Sequence, residues 1–135
     1  MTTALDTNVL LDLLEQASPR KLAVAEALET AANEGRLIIS EVVYAELAPS
    51  FPEQALLDKV LGNLGVDVVP LGRTASHAAG RTFAAYRRAG GKRHHILADF
   101  LIGAHAAHHA QRLVTRDRGF YRKYYPELPM MSLEA

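Results

Sequence analysis

The strongest constraint on the fold is a set of very short extended segments. Leu37-Ile38-Ile39 is wholly apolar, Val66 to Val69 is so but for Asp67, Arg112 to Thr115 centres on Leu113-Val114, and Thr3-Ala4-Leu5 is a short extended start. Runs this short read as strands buried on both faces, as in a parallel sheet. Parallel strands need crossovers of a dozen or more residues, and the intervening stretches have that length. Those stretches also carry helix signals. Asp6-Thr7-Asn8 precedes Val9, Leu10, Leu11, Leu13 and Leu14, and Ser18-Pro19 reads as the cap and first residue of a helix ending near Gly35. Ser40 caps a helix over Glu41 to Leu47, which Pro49 and Pro52 close, and another is predicted from Pro52 to Asn63. An Ala-rich helix from Thr74 to Ala89 ends at Gly90-Gly91, and a further helix spans Leu97 to His109. The fold class is therefore α/β, a parallel sheet with helices on both faces. At 135 residues without a repeat or a low-complexity linker, one domain over residues 1–135 is expected.

Several function classes drop out. Cysteine is absent, which excludes disulfides, thiolate metal sites and a cysteine nucleophile. Asp99 interrupts the best apolar run, Ile96 to Ala107, so no membrane span is expected. The first residues lack a basic and then apolar leader, which makes a cytoplasmic protein the expectation. The net charge of zero hides an asymmetry. Residues 1–72 hold four basic and eleven acidic side chains, whereas residues 73–135 hold eleven basic and four acidic. That split is compatible with mutual neutralisation across the fold or with a polyanion-binding face beside an acidic site. Between Arg73 and Tyr125 the only acids are Asp99 and Asp117.

Ligands of open parallel sheets gather beyond the carboxyl ends of the strands. Asp6 follows the first strand, Asp117 follows the fourth, and Asp99 lies in the first turn of the Leu97 helix. Glu46 stands six residues after Ser40, near the end of the helix that leaves the second strand. Singly, each has an ordinary explanation: helix capping or dipole complementation for Asp6 and Asp99, an Asx turn for Asp117, a surface acid for Glu46. Jointly, four carboxylates at one cleft repel each other unless a cation neutralises them. Mg²⁺ and Mn²⁺ prefer such oxygen donors, and they activate water for attack on a phosphodiester.

Leu5-Asp6-Thr7-Asn8-Val9-Leu10-Leu11-Asp12 resembles the opening of a PIN domain, specifically of the VapC-type ribonuclease toxins. The resemblance continues through Ile39-Ser40-Glu41-Val42-Val43-Tyr44-Ala45-Glu46-Leu47 and Leu97-Ala98-Asp99-Phe100-Leu101-Ile102-Gly103-Ala104-His105-Ala106. It ends with Leu113-Val114-Thr115-Arg116-Asp117-Arg118-Gly119-Phe120. The four segments fall in family order. The resemblance implies a PIN-like three-layer fold with about five parallel strands, the last near Met130-Met131. It implies that Asp6, Glu46, Asp99 and Asp117 are the catalytic acids and hold Mg²⁺ or Mn²⁺, with Asn8 and Thr115 supporting them. A metal-dependent endoribonuclease follows, acting as the toxin of a toxin–antitoxin pair. A small antitoxin is the expected partner, operator DNA is reached only through it, and the toxin self-associates as a homodimer. Gly119 departs from the family, many of whose members carry a further acid there to help hold a second metal.

Lys92 and Arg93, in a basic loop with His94 and His95, are candidate RNA contacts, as are Arg116 and Arg118. Solvated loops are the ordinary alternative. Tyr121, Tyr124 and Tyr125 read as packing rather than base stacking. His105 and His109 are four apart on a helix, yet no third zinc ligand is evident. One rival reading is a non-catalytic PIN-like module that docks RNA or protein. A flavodoxin-like phosphotransfer domain is disfavoured, because no downstream Lys accompanies a strand-end Asp.

Overall fold

The computed structural model describes residues 1–92, 96–131 and 133. Arg93, His94 and His95 therefore lie outside the described residues. Five strands form one sheet: β1 (Thr3–Leu5), β2 (Leu37–Ile39), β3 (Val66–Val68), β4 (Arg112–Val114) and β5 (Met130–Met131). The sheet order is β3-β2-β1-β4-β5, and every neighbouring pair is parallel. Seven α-helices accompany it among the described residues: α1 (Thr7–Leu14), α2 (Lys21–Glu34), α3 (Glu41–Leu47), α4 (Gln54–Leu64), α5 (Gly72–Arg88), α6 (Leu97–His109) and α7 (Arg118–Tyr124). The chain winds outward from β1 to β3, then returns to the other side of β1 as β4. That reversal opens a crevice between β1 and β4 at their carboxyl ends.

Burial explains the short strands. Ala4, Leu5, Leu37, Ile38, Ile39, Leu113 and Val114 are all buried, with helices packed against them. Leu5 pairs with Val114, and the Asp6 amide extends the ladder by donating to the Val114 carbonyl at 3.0 Å. The edge strand β3 differs. Asp67 and Val68 are exposed, and Asp67 pairs with Arg36 across the surface at 3.2 Å.

Helix ends follow local chemistry. Ser40 caps α3 as expected, its hydroxyl accepting from the Val43 amide at 3.3 Å. Ser18 does not cap α2. Its hydroxyl donates to Asp12 at 3.0 Å and accepts from the Arg20 amide, so Ser18-Pro19 forms a turn and α2 begins at Lys21. Asp12 has drawn the capping group away. Gly90 (φ 82°) ends α5 in the left-handed conformation that glycine adopts without strain. The helix α7 is not expected from the sequence, and β5 lies where the family resemblance puts it.

Helix α6 runs beside α5 and across β1 and β4. Phe100 is fully buried, with its ring centroid 5.1 to 5.5 Å from those of Phe83, Tyr86, Phe120 and Tyr124. His105 is 2% exposed, and its Nε2–H donates to the Val69 carbonyl at 2.8 Å. His109 donates likewise to the Leu71 carbonyl at 2.7 Å. These imidazoles fasten the β3–α5 connection to α6, a structural role for the pair.

Burial holds the His105 imidazole below its ordinary pKa of 6.5, outweighing its hydrogen bond to Val69. A depressed folded-state value means its stabilisation is intact above about pH 6.5 and is lost as pH falls through the folded value. Thermal unfolding of wild type and His105→Gln between about pH 7.5 and 5 checks this. The variant is expected to melt lower at the upper end of that range and to lose less on acidification. Parallel pH profiles would remove His105 from the acid response.

Candidate active site

The crevice between β1 and β4 is built around Asp6. It is the N-cap of α1, 7% exposed, with Oδ1 accepting from the Thr7 amide at 2.7 Å. Its Oδ2 accepts from the Thr115 hydroxyl at 2.7 Å, the Tyr121 hydroxyl at 3.2 Å and the Asn8 side-chain amide at 3.3 Å. Burial nevertheless raises the Asp6 pKa above its usual 3.8, and the Glu46 charge adds to the rise. Thr115 and Asn8 thus stand where supporting residues were expected. The Thr115 hydroxyl also accepts from the Asp117 amide at 3.0 Å, and the Asn8 carbonyl oxygen accepts from the Arg116 amide at 3.2 Å.

The other three acids lie on α3, in the first turn of α6 and just before α7. Glu46 projects from α3, and its Oε1 accepts from the Thr7 hydroxyl at 2.6 Å. Asp99 occupies the third position of α6, where its Oδ2 accepts from the Ile96 amide at 2.9 Å. Asp117 precedes α7 and is exposed. The Tyr121 hydroxyl senses three of them. Burial first, then the charges of Asp6, Asp99 and Asp117, push its pKa well above 10.0, so it remains a protonated donor. Thr7 thus links Asp6 to Glu46, and the charges of Asp6, Asp99 and Asp117 all act on the Tyr121 hydroxyl.

Among the described residues, no three His, Asp or Glu side chains stand close enough together to make a ready-formed metal cage. The donor chemistry still fits a hard cation. Every candidate ligand is a carboxylate, and the buried Asp6 charge is opposed by burial and by Glu46, a penalty that a cation relieves. At Gly119 there is room for a further side chain, since an added Cβ meets nothing within 4 Å. The missing fifth acid is a matter of residue, not of space.

Sequence reasoning overlooks Thr7 and Tyr121. Thr7 passes as part of a helix start, and Tyr121 reads as packing only. It does pack, at 1% exposure, while its hydroxyl serves Asp6. Of the candidate RNA contacts, Arg116 places its Nε 2.7 Å from the buried Asp12 carboxylate. Lys92 lies in a groove of about 610 Å³ with Tyr86, Phe120, Lys123 and Tyr124, and its carbonyl accepts from the Tyr86 hydroxyl. Arg118 stands at the start of α7.

Strand order 3-2-1-4-5, with the buried Asp6 at the switch point, defines a doubly wound α/β domain. Comparison makes this specific: the PIN domain family profile matches residues 3–125, and the chain belongs to that family. A search of curated proteins finds no significant match. Among solved structures, the chain is similar to VapBC2 from Rickettsia felis bound to a promoter DNA fragment, with a TM-score of 0.74 at 22% identity over 97% of this chain and 98% of that one. VapBC-1 from nontypeable Haemophilus influenzae gives 0.74 at 22% identity, covering 98% of each chain. A toxin–antitoxin complex from Klebsiella pneumoniae gives 0.71 at 19% identity, again with 98% of each covered. At these identities the likeness is one of fold. No described helix is long and apolar enough to cross a membrane.

Proposed function

We propose that the chain is an endoribonuclease dependent on Mg²⁺ or Mn²⁺ and the toxin of a toxin–antitoxin pair. The observation that best supports this is the buried Asp6 carboxylate at the sheet's switch point, held by the Thr115 and Tyr121 hydroxyls and joined to Glu46 through Thr7. A bound divalent ion would supply an activated water and neutralise charge developing on the phosphodiester. Asp6, Glu46, Asp99 and Asp117 would hold it. Thr115 and Tyr121 keep the Asp6 carboxylate oriented, and the Thr7 hydroxyl does the same for Glu46. The toxin role and the antitoxin partner follow the VapBC complexes that the chain resembles in fold, and a small antitoxin, operator DNA contacted through it and a homodimer follow from the family resemblance of the sequence. A non-catalytic docking module is the second reading, favoured by the spacing of the acids, which leaves them short of a ready-formed cage.

Two measurements test the proposal. Wild type is expected to cut a mixed RNA pool with Mg²⁺ or Mn²⁺ and to stop in EDTA. Millimolar metal is expected to raise the melting temperature, because an ion bound only by the folded state stabilises it by mass action, about 2.7 kcal/mol at a hundredfold excess over Kd. Asp6→Asn should abolish most of that increment. Cleavage that survives EDTA overturns the metal dependence, and an equal thermal response in the variant removes Asp6 from the site. Binding without cleavage under either metal selects the docking module.

A further inference from the structure

An acid-lined cleft is a poor landing place for a polyanion. The carboxylates that would hold a cation also repel each phosphate around the one being cut, so a nucleic acid needs cationic footholds nearby. Beside the cleft lies a cavity of about 370 Å³ lined by Arg20, Thr115, Arg116, Arg118 and Leu133. Its wall is shared with the active site, because the Thr115 hydroxyl donates to Asp6 and accepts from the Asp117 amide.

The three arginines are not equivalent. Asp12 is 5% exposed, and one of its oxygens lies 2.7 Å from Arg116 Nε while the other accepts from the Ser18 hydroxyl. Arg116 is therefore neutralised and held as part of the wall. Arg20 and Arg118 have no carboxylate within ion-pair distance among the described residues. Arg20 reaches this place because Asp12 captures Ser18, which turns the chain before α2. Two arginines without a carboxylate partner among the described residues line this one cavity, and a guanidinium suits a tetrahedral oxyanion because it presents parallel N–H donors to phosphate oxygens.

We propose that Arg20 and Arg118 bind a backbone phosphate of single-stranded RNA flanking the cleaved bond, with Arg116 fixed by Asp12 as the wall of that site. The inference rests on the ribonuclease reading and extends it to a substrate-positioning site. RNA is favoured over an acidic protein segment because the cavity adjoins the acids that would act on it, separated from Asp6 by one hydroxyl.

The test is binding of a fluorescent single-stranded RNA in EDTA across a salt series. Wild type is compared with Arg20→Gln/Arg118→Gln, with Arg20→Gln alone, and with Arg20→Lys/Arg118→Lys, each checked for an unchanged melting temperature. The double Gln variant is expected to bind about tenfold more weakly at low salt, and its log–log salt slope to fall by about 0.7 for each phosphate that is no longer neutralised. The Lys pair should recover the slope and only part of the affinity, because it keeps charge without the parallel donors. Cleavage should fall in parallel with binding at subsaturating RNA and recover at saturation. Wild-type affinity and slope in both Gln variants would overturn this inference while leaving metal-dependent cleavage, and so the ribonuclease reading, intact. Failure of wild type to bind or cut RNA would overturn both. If polyglutamate binds wild type and loses affinity in the Gln variants while RNA does not, the cavity takes a protein carboxylate and the proposal fails.

Discussion

Asp99→Asn is expected to reduce RNA cleavage by about two orders of magnitude or more, while RNA affinity changes by less than about threefold. The separation follows from the division of labour in the proposed site. Carboxylates would hold the ion that lowers the barrier, whereas affinity for a polyanion comes from arginine and lysine. Asp99 is the cleanest acid to alter. It accepts a hydrogen bond from the Ile96 amide at 2.9 Å, and asparagine retains an acceptor there. The lost interaction with the α6 dipole costs under about 1 kcal/mol. The metal-free variant should therefore melt within a few degrees of wild type. Equal cleavage by wild type and variant would place the activity elsewhere. A parallel collapse of binding and cleavage would mean that Asp99 shapes the cleft rather than acting within it.

Phe100→Ala is expected to destabilise the fold by about 3–5 kcal/mol and lower the melting temperature by about 10–20 °C. Phe100 is fully buried, and four aromatic rings from α5 and α7 meet it. Truncation leaves a cavity between helices that enter the structure at different points of the chain, so no single side chain can move in to fill it. Phe100→Leu should recover more than half of the loss. A fall below about 5 °C for the alanine variant would show that the cluster repacks. Since Phe100 follows Asp99 directly, the variant also reports coupling. Activity lost at temperatures where it remains folded would mean that the aromatic cluster holds Asp99 in place.

The parts of the fold that are legible in the sequence are those where one physical signal dominates. The helix from Leu97 to His109 can be read to both ends, and the apolar triplet at Leu37 could hardly be anything but a buried strand. The helix α7 is not legible, because Arg118-Gly-Phe-Tyr-Arg-Lys-Tyr is short, carries a glycine at its second position, and has no side-chain cap. Its stability comes from Phe120 and Tyr121 packing into the core, which is tertiary information. Ser18 misleads for a similar reason, since its expected use as a cap loses to an acid six residues earlier. The acids stand out because carboxylates at strand ends are chemically conspicuous. Thr7 and Tyr121 do not, because a hydroxyl's assignment depends on what the fold brings opposite it. The toxin resemblance contributes β5 and the pairing of Glu46 with the other acids, neither of which periodicity supplies.

The path from Asp99 to Asp117 goes down one helix and back along one short strand. From Asp99, α6 descends ten residues to His109, about 15 Å at 1.5 Å per residue. After a turn at Ala110 and Gln111, β4 runs back extended over Arg112–Val114, and the chain bends at Arg116 before Asp117. A single insertion within α6 would raise or lower Asp99 by about 1.5 Å and swing it through about 100° around the axis. A single insertion in β4 would invert every side chain beyond it, sending Thr115 away from Asp6. Natural variation in this stretch should therefore run to substitution, with length changes confined to the turn at Ala110 and Gln111.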